Sequence, residues 1–182
     1  MLKRYREAAK SGDIWALIFG LLVAATLGLG GTARATTATT TFAVSVTITA
    51  SCTISATTLA FGSQGVLVAN VDSTSTITAT CTNTTPYSVG LDNGLNFSGS
   101  RRMKDTGAGT TFVNYALYTD SGRTNAWTTS TSAASCTGGA NTCALGTGNG
   151  TGQSITVYGR IPAQTTPAPA TFNDTVTATI TY

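Results

Sequence analysis

Phe42-Ala43-Val44-Ser45-Val46-Thr47-Ile48-Thr49 is the most regular stretch of the chain, and its parity continues through Ala50, Cys52 and Ile54. Phe42, Val44, Val46 and Ile48 are apolar, whereas the residues between them are small or carry hydroxyls. A period of two is the period of a β-strand, whose successive side chains point to opposite faces. The chain ends on the same pattern: Val176, Ala178, Ile180 and Tyr182 alternate with Thr175, Thr177, Thr179 and Thr181. A strand that runs to the last residue is unusual, because termini fray unless something ties them down.

Between these ends the alternation recurs. Ile77, Ala79 and Cys81 alternate with Thr76, Thr78 and Thr80, which puts Cys81 on the apolar side. Tyr87, Val89 and Leu91 form the next strand, closed by the turn signal Asp92-Asn93-Gly94. From Phe112 to Thr119 both parities are apolar, the pattern of a central strand covered on both faces. Ile155, Val157 and Ile161 mark another strand before the connection from Pro162 to Pro169.

Two segments read as connections. Thr128 to Gly152 is rich in Gly, Ser and Thr, which suits a surface excursion. Asp92 to Gly109 carries Arg101, Arg102, Lys104 and Asp105 around Met103 and reads as a solvated link, since nothing else in the sequence converges on those charges. No stretch has a helical period. About seven short strands with turn signals between them predict an all-β domain, a β-sandwich of immunoglobulin-like type.

The first 35 residues are different. Lys3, Arg4, Arg6, Lys10 and Arg34 outweigh Glu7 and Asp13 by 5 − 2, the whole formal charge of +3. A basic stretch, an apolar run from Ile14 to Leu29, and then Ala33-Arg34-Ala35 follow the order of an export signal cut after Ala35. The run is 16 residues with Gly20 and Gly28 inside it, short of the roughly 20 that span a bilayer. Residues 1–35 are therefore expected to be removed, leaving a chain with five basic and five acidic residues. Such a balance offers no electrostatic footprint for nucleic acid.

Export places the cysteines in an oxidising compartment. Cys52, Cys81, Cys136 and Cys143 allow three pairings, and the sequence does not choose among them. Spacing suggests Cys136 with Cys143 across a small loop, leaving Cys52 for Cys81. A zinc site would want CxxC spacing or histidine, and the chain has neither. Without histidine there is no ordinary Ser or Cys triad, and the scattered aspartates lie in no catalytic context. The reading is a non-enzyme with no catalytic residue, metal, cofactor or small-molecule substrate.

Several short stretches carry a family resemblance: Cys52-Thr53-Ile54 with Phe61-Gly62; Cys81-Thr82 before Pro86-Tyr87; Arg102-Met103; Tyr115 to Asp120 leading to Trp127; Val157 to Pro162; and Asp174-Thr175-Val176 running to Tyr182. In this order the chain resembles the spore coat U domain family, which includes the major subunits of archaic, Csu-type chaperone–usher pili. It departs from the pattern at Phe172, where Tyr is expected, and in the extra pair Cys136 and Cys143.

The resemblance implies an immunoglobulin-like sandwich that lacks its last strand and is completed by a donated N-terminal strand. Residues 36–49 would be the donor, with Phe42, Val44, Val46 and Ile48 entering the next subunit, and residues 50–182 the pilin domain. A periplasmic chaperone would pair with the strand of Val176, Ala178, Ile180 and Tyr182, and an outer-membrane usher would receive the complex. The product would be a homopolymer of identical subunits, an extracellular pilus that supports adhesion and biofilm formation. The alternative is a non-polymerising spore-coat or matrix protein.

Overall fold

The computed structural model describes residues 34–107, 109–127 and 143–182. Residues 1–33 of the expected export signal, Ala33 among them, and Cys136 lie outside the described residues. Nine strands are present among them: β1 (Cys52–Ala56), β2 (Val71–Cys81), β3 (Pro86–Leu91), β4 (Arg101–Asp105), β5 (Phe112–Tyr118), β6 (Ala144–Thr147), β7 (Gly152–Ile161), β8 (Phe172–Asn173) and β9 (Ala178–Thr181). The described residues contain no helix.

The strands form two sheets, one of six in the order β1-β2-β7-β5-β4-β8 and one of three in the order β6-β3-β9, every pairing antiparallel. β2 is the spine of the larger sheet. It pairs with β7 from Val71↔Ile161 to Thr80↔Gly152 and with β1 from Cys52↔Cys81 to Ala56↔Ile77. Its alternation decides what faces inward: Ser75, Ile77, Ala79 and Cys81 are buried while the intervening threonines are not. Val113, Tyr115 and Leu117 of β5, with Val157 and Ile161 of β7, continue that inner face, and Tyr87, Val89 and Leu91 of β3 meet it from the smaller sheet. The result is one core between two sheets, an immunoglobulin-like sandwich.

Three expectations change. β5 is central, between β7 and β4, but only one of its faces is buried. Asn114 is exposed, and on the same parity Phe112 lies under the Arg102 guanidinium, 4.1 Å from its ring centroid, so a cation–π contact stands where a second layer was expected.

The charged stretch from Asp92 to Gly109 is not a solvated link, because it contains β4. Arg101 is 8% exposed, and its guanidinium donates to the carbonyls of Asp92 (2.7 Å) and Trp127 (3.0 Å). A buried charge is tolerated when its donors are matched, and here main-chain carbonyls match them.

The stretch from Thr128 to Gly152 contains β6, which pairs with β3 from Pro86↔Thr147 to Val89↔Ala144. Gly146 sits opposite Tyr87, and a Cβ there would collide with the Tyr87 ring, so the residue that reads as a loop signal is what lets this strand approach.

The chain divides into two units between Val46 and Thr47. Residues 34–46 carry no regular secondary structure, and each of them is exposed.

Candidate functional site

The sandwich is not closed. A groove of about 970 Å³ opens onto the core, with Ile77, Leu91, Val113, Leu117, Val157 and Ile161 on its floor. Residues 56–65 and Leu67 form one wall, and residues 166–176 with Ala178 the other. Of the floor residues, Ile77, Leu91, Leu117 and Val157 belong to strands in the middle of the sheets, so what shows through the groove is the core itself. The fold is thus an incomplete immunoglobulin-like sandwich.

Hydroxyl chemistry holds the first wall to β2. Thr57 donates its N–H to the Thr76 carbonyl at 2.9 Å, and its Oγ1 accepts the Thr76 N–H at 3.0 Å. The Ser73 hydroxyl donates to the Ala60 carbonyl at 2.6 Å. The Thr57–Thr76 bond continues the main-chain pairing one residue past β1, and beyond it the Ser73 hydroxyl holds the wall.

Two aspartates hold the second wall. Asp174 Oδ2 accepts the Tyr115 hydroxyl at 2.6 Å, and its Oδ1 accepts the Asn96 amide at 3.0 Å. Asp92 Oδ1 accepts the N–H groups of Thr177 and Gly94, both at 2.9 Å. Burial works against the Asp92 carboxylate, but its bonds to Thr177 and Gly94, together with the Arg101 charge, outweigh it and hold the group below its ordinary pKa. Burial, assisted by the bond to Asp174, pushes the Tyr115 hydroxyl far above the usual phenol range. Asp92 and Tyr115 therefore each keep one protonation state across the neutral range.

β9 follows directly from this wall and, among the described residues, is an edge strand paired only with β3. Ala178 and Ile180 are half-buried, Val176 lies just before the strand and lines the groove, and Tyr182 lies just after it, 58% exposed. An edge of this kind leaves main-chain donors and acceptors free along one side.

The N-terminal run presents the opposite chemistry. Phe42, Val44, Val46 and Ile48 are each between 80% and 85% exposed. Ala35 is exposed as well. Single exposed apolar side chains are ordinary, but four in one alternating row form an unsatisfied apolar edge.

Four residues after Ile48, Cys52 is bonded to Cys81, S–S 2.02 Å, at directly paired positions of β1 and β2. Cys143 is also disulfide-bonded, and its expected partner, Cys136, lies outside the described residues.

Among the described residues, no three His, Cys, Asp or Glu side chains are grouped as a metal ion would require. The clasp of Tyr115, Asp92 and Asp174 was not legible in advance. Asp92 is visible as a turn signal, but its pairing with a segment 85 residues later has no local signature.

The profile described as the Spore Coat Protein U domain matches residues 38–179. The chain belongs to this family. Spore Coat Protein U domain membership thus covers both the exposed apolar row and the grooved sandwich. Among solved structures, a chain of the CsuC–CsuE chaperone–tip adhesion subunit pre-assembly complex from the archaic chaperone–usher Csu pili of Acinetobacter baumannii is similar. It shares 25% identity and a TM-score of 0.53, over 75% of this chain and 41% of that one. The chain therefore spans about two fifths of the length of the structure it resembles. No curated protein sequence matches it.

Proposed function

We infer that this chain is a structural subunit of a chaperone–usher pilus and polymerises by donor-strand exchange. The observation that carries this is a complementarity within one chain: an apolar groove open to the core, and an alternating row of four exposed apolar side chains at Phe42, Val44, Val46 and Ile48. A strand laid in the groove would cover the floor and pair with the free edge of β9, which is β-augmentation. Burying four such side chains is worth roughly 6 to 12 kcal/mol before ordering costs, enough for a durable link once main-chain pairing is added.

The similarity to a chain of a chaperone–subunit complex supports the assembly route. The chain would be exported to the periplasm, lose residues 1–35, and receive a chaperone strand beside Val176, Ala178, Ile180 and Tyr182. An outer-membrane usher would then exchange that strand for residues 36–49 of an identical subunit. The product is an extracellular filament that serves adhesion and biofilm formation, with no enzymatic activity.

The test is Val46→Arg, which asks an unpaired charge to enter an apolar groove. The expected outcome is a folded, disulfide-bonded chain that forms no filaments by electron microscopy and no SDS-resistant ladder in sheared surface material. Normal filaments from this variant, or from a chain lacking residues 36–49, would exclude the donor role. A wild-type chain that reaches the surface without any ladder would instead be a coat or matrix protein.

A further inference from the structure

The two walls of the groove are joined to each other at one end. The Leu67 N–H donates to Thr166 Oγ1 at 2.8 Å, and the Gln164 N–H donates to the Leu67 carbonyl at 2.8 Å. Leu67 is 4% exposed and belongs to the core, while Thr166 is exposed and Gln164 half-buried, so the bridge runs from the core to the surface. At the other end, by Ala56 and Ala178, no hydrogen bond of this kind joins the walls among the described residues.

Gln164 is built into the sheet in an unusual way. The register Ala116↔Arg160, continued by two residues, sets Asn114 against Pro162, which has no N–H to give. The side chain of Gln164 supplies the missing pairing: its Oε1 accepts the Asn114 N–H at 3.0 Å and its Nε2 donates to the Asn114 carbonyl at 2.9 Å. Nearby, the Ala163 N–H donates to Asn70 Oδ1 at 3.2 Å. One amide side chain thus anchors the bridge to β5, the middle of the larger sheet.

The apolar row from Phe42 to Ile48 spans seven residues, whereas the wall runs from Thr166 to Ala178 and is longer. A strand of period two can slip by two residues and still present its apolar face, so alternation alone leaves the register open. Something must terminate the groove.

We propose that Gln164, through the Leu67–Thr166 bridge, is the stop that sets the register of the inserted strand. Gln164 is a positioning residue: it acts through the bridge and does not line the groove itself. The inference rests on the donor-strand reading and adds to it which residues decide where the donor halts.

The test places a photo-crosslinking benzoylphenylalanine at position 42 and maps its intermolecular products in assembled material by mass spectrometry. With Gln164 and Thr166 intact, products are expected at one cluster of groove residues. In Gln164→Ala, and separately in Thr166→Val, which keeps the shape and removes the hydroxyl, products should also appear at positions displaced by two residues. Their share should rise about tenfold, an equilibrium change of ~1.4 kcal/mol. A loss of stability alone would lower the yield without moving the sites. The same single cluster in both variants would overturn the stop while leaving donor-strand exchange standing. No intermolecular product in assembled wild-type material would remove the donor-strand reading, and the stop with it.

Discussion

Tyr115 of β5 and Asp174 of the second wall meet at 2.6 Å, joining the floor of the groove to the segment that leads into β9. Tyr115 is 7% exposed, and its hydroxyl donates to this acceptor. Tyr115→Phe is expected to cost about 1.5 to 3 kcal/mol in chemical denaturation, the range for a hydrogen bond to a charged group. A pH series adds a second readout. Burial raises the Tyr115 pKa above its ordinary value, so the folded state holds the proton more tightly. Stability from this group is therefore complete below about pH 10, the phenol value in an unfolded chain, and is lost as pH rises beyond it. Burial also raises Tyr87, so the phenylalanine variant should lose part of this alkaline decline and not all of it.

Asp92 makes the opposite prediction at the acid end. Burial opposes its charge, but the N–H groups of Thr177 and Gly94 hold its pKa below the ordinary value. A depressed carboxylate contributes stability that is present above about pH 4 and is lost as pH falls through the folded-state value. Amide exchange at Thr177 should accelerate over that acid range in the wild-type protein. Asp92→Asn keeps an acceptor without the charge and should flatten this dependence. Asp92→Ala should expose Thr177 to exchange already at neutral pH. Unchanged Thr177 protection in the alanine variant would mean that the clasp does not hold the wall.

The parts of this fold that could be read in advance are those where one face is buried and the other solvated. Ile77, Ala79 and Cys81, or Tyr87, Val89 and Leu91, are such runs, since a period of two survives in sequence only when the faces differ. The parts that could not be read depend on distant partners. Arg101 looks like a surface charge until the carbonyls of Asp92 and Trp127 are placed around it. Phe112 and Tyr118 suggested a second buried face because apolar character alone cannot tell a core contact from a ring beneath Arg102. The groove lies between these cases. Its floor was visible as core residues, whereas its openness is the absence of a strand and leaves no mark on the residues around it.

β6 provides a test of that distinction. Its glycines read as loop, yet Gly146 faces Tyr87 so closely that no Cβ fits between them. Gly146→Ala should displace the Tyr87 ring or detach β6 from β3. Overpacking of this kind typically costs about 1 to 3 kcal/mol. The loss should appear as faster amide exchange across Ala144–Thr147 while β2 and β7 stay protected. Gly150 also has a positive φ but no atom within 4 Å of where its Cβ would be, so Gly150→Asn should have a much smaller effect.

The groove can be tested with a ligand, without any filament. A chain lacking residues 36–49 keeps every residue that lines the groove and both walls, because the lining begins at Ala56. It should fold with an exposed apolar floor and a low melting temperature. A peptide copying residues 40–49 should raise that temperature, because a ligand that binds only the folded state stabilises it by mass action. At a peptide concentration of about 100 times Kd the gain is ~2.7 kcal/mol, which for a domain of this size is a shift of several degrees. The four apolar side chains must act together, since each contributes only part of the burial. A peptide with Val46→Arg should therefore give no shift, whereas one with Thr47→Ser, on the opposite parity, should act like the parent. Equal stabilisation by the arginine peptide would show that binding does not use the apolar row, and would separate the groove from the segment proposed to fill it.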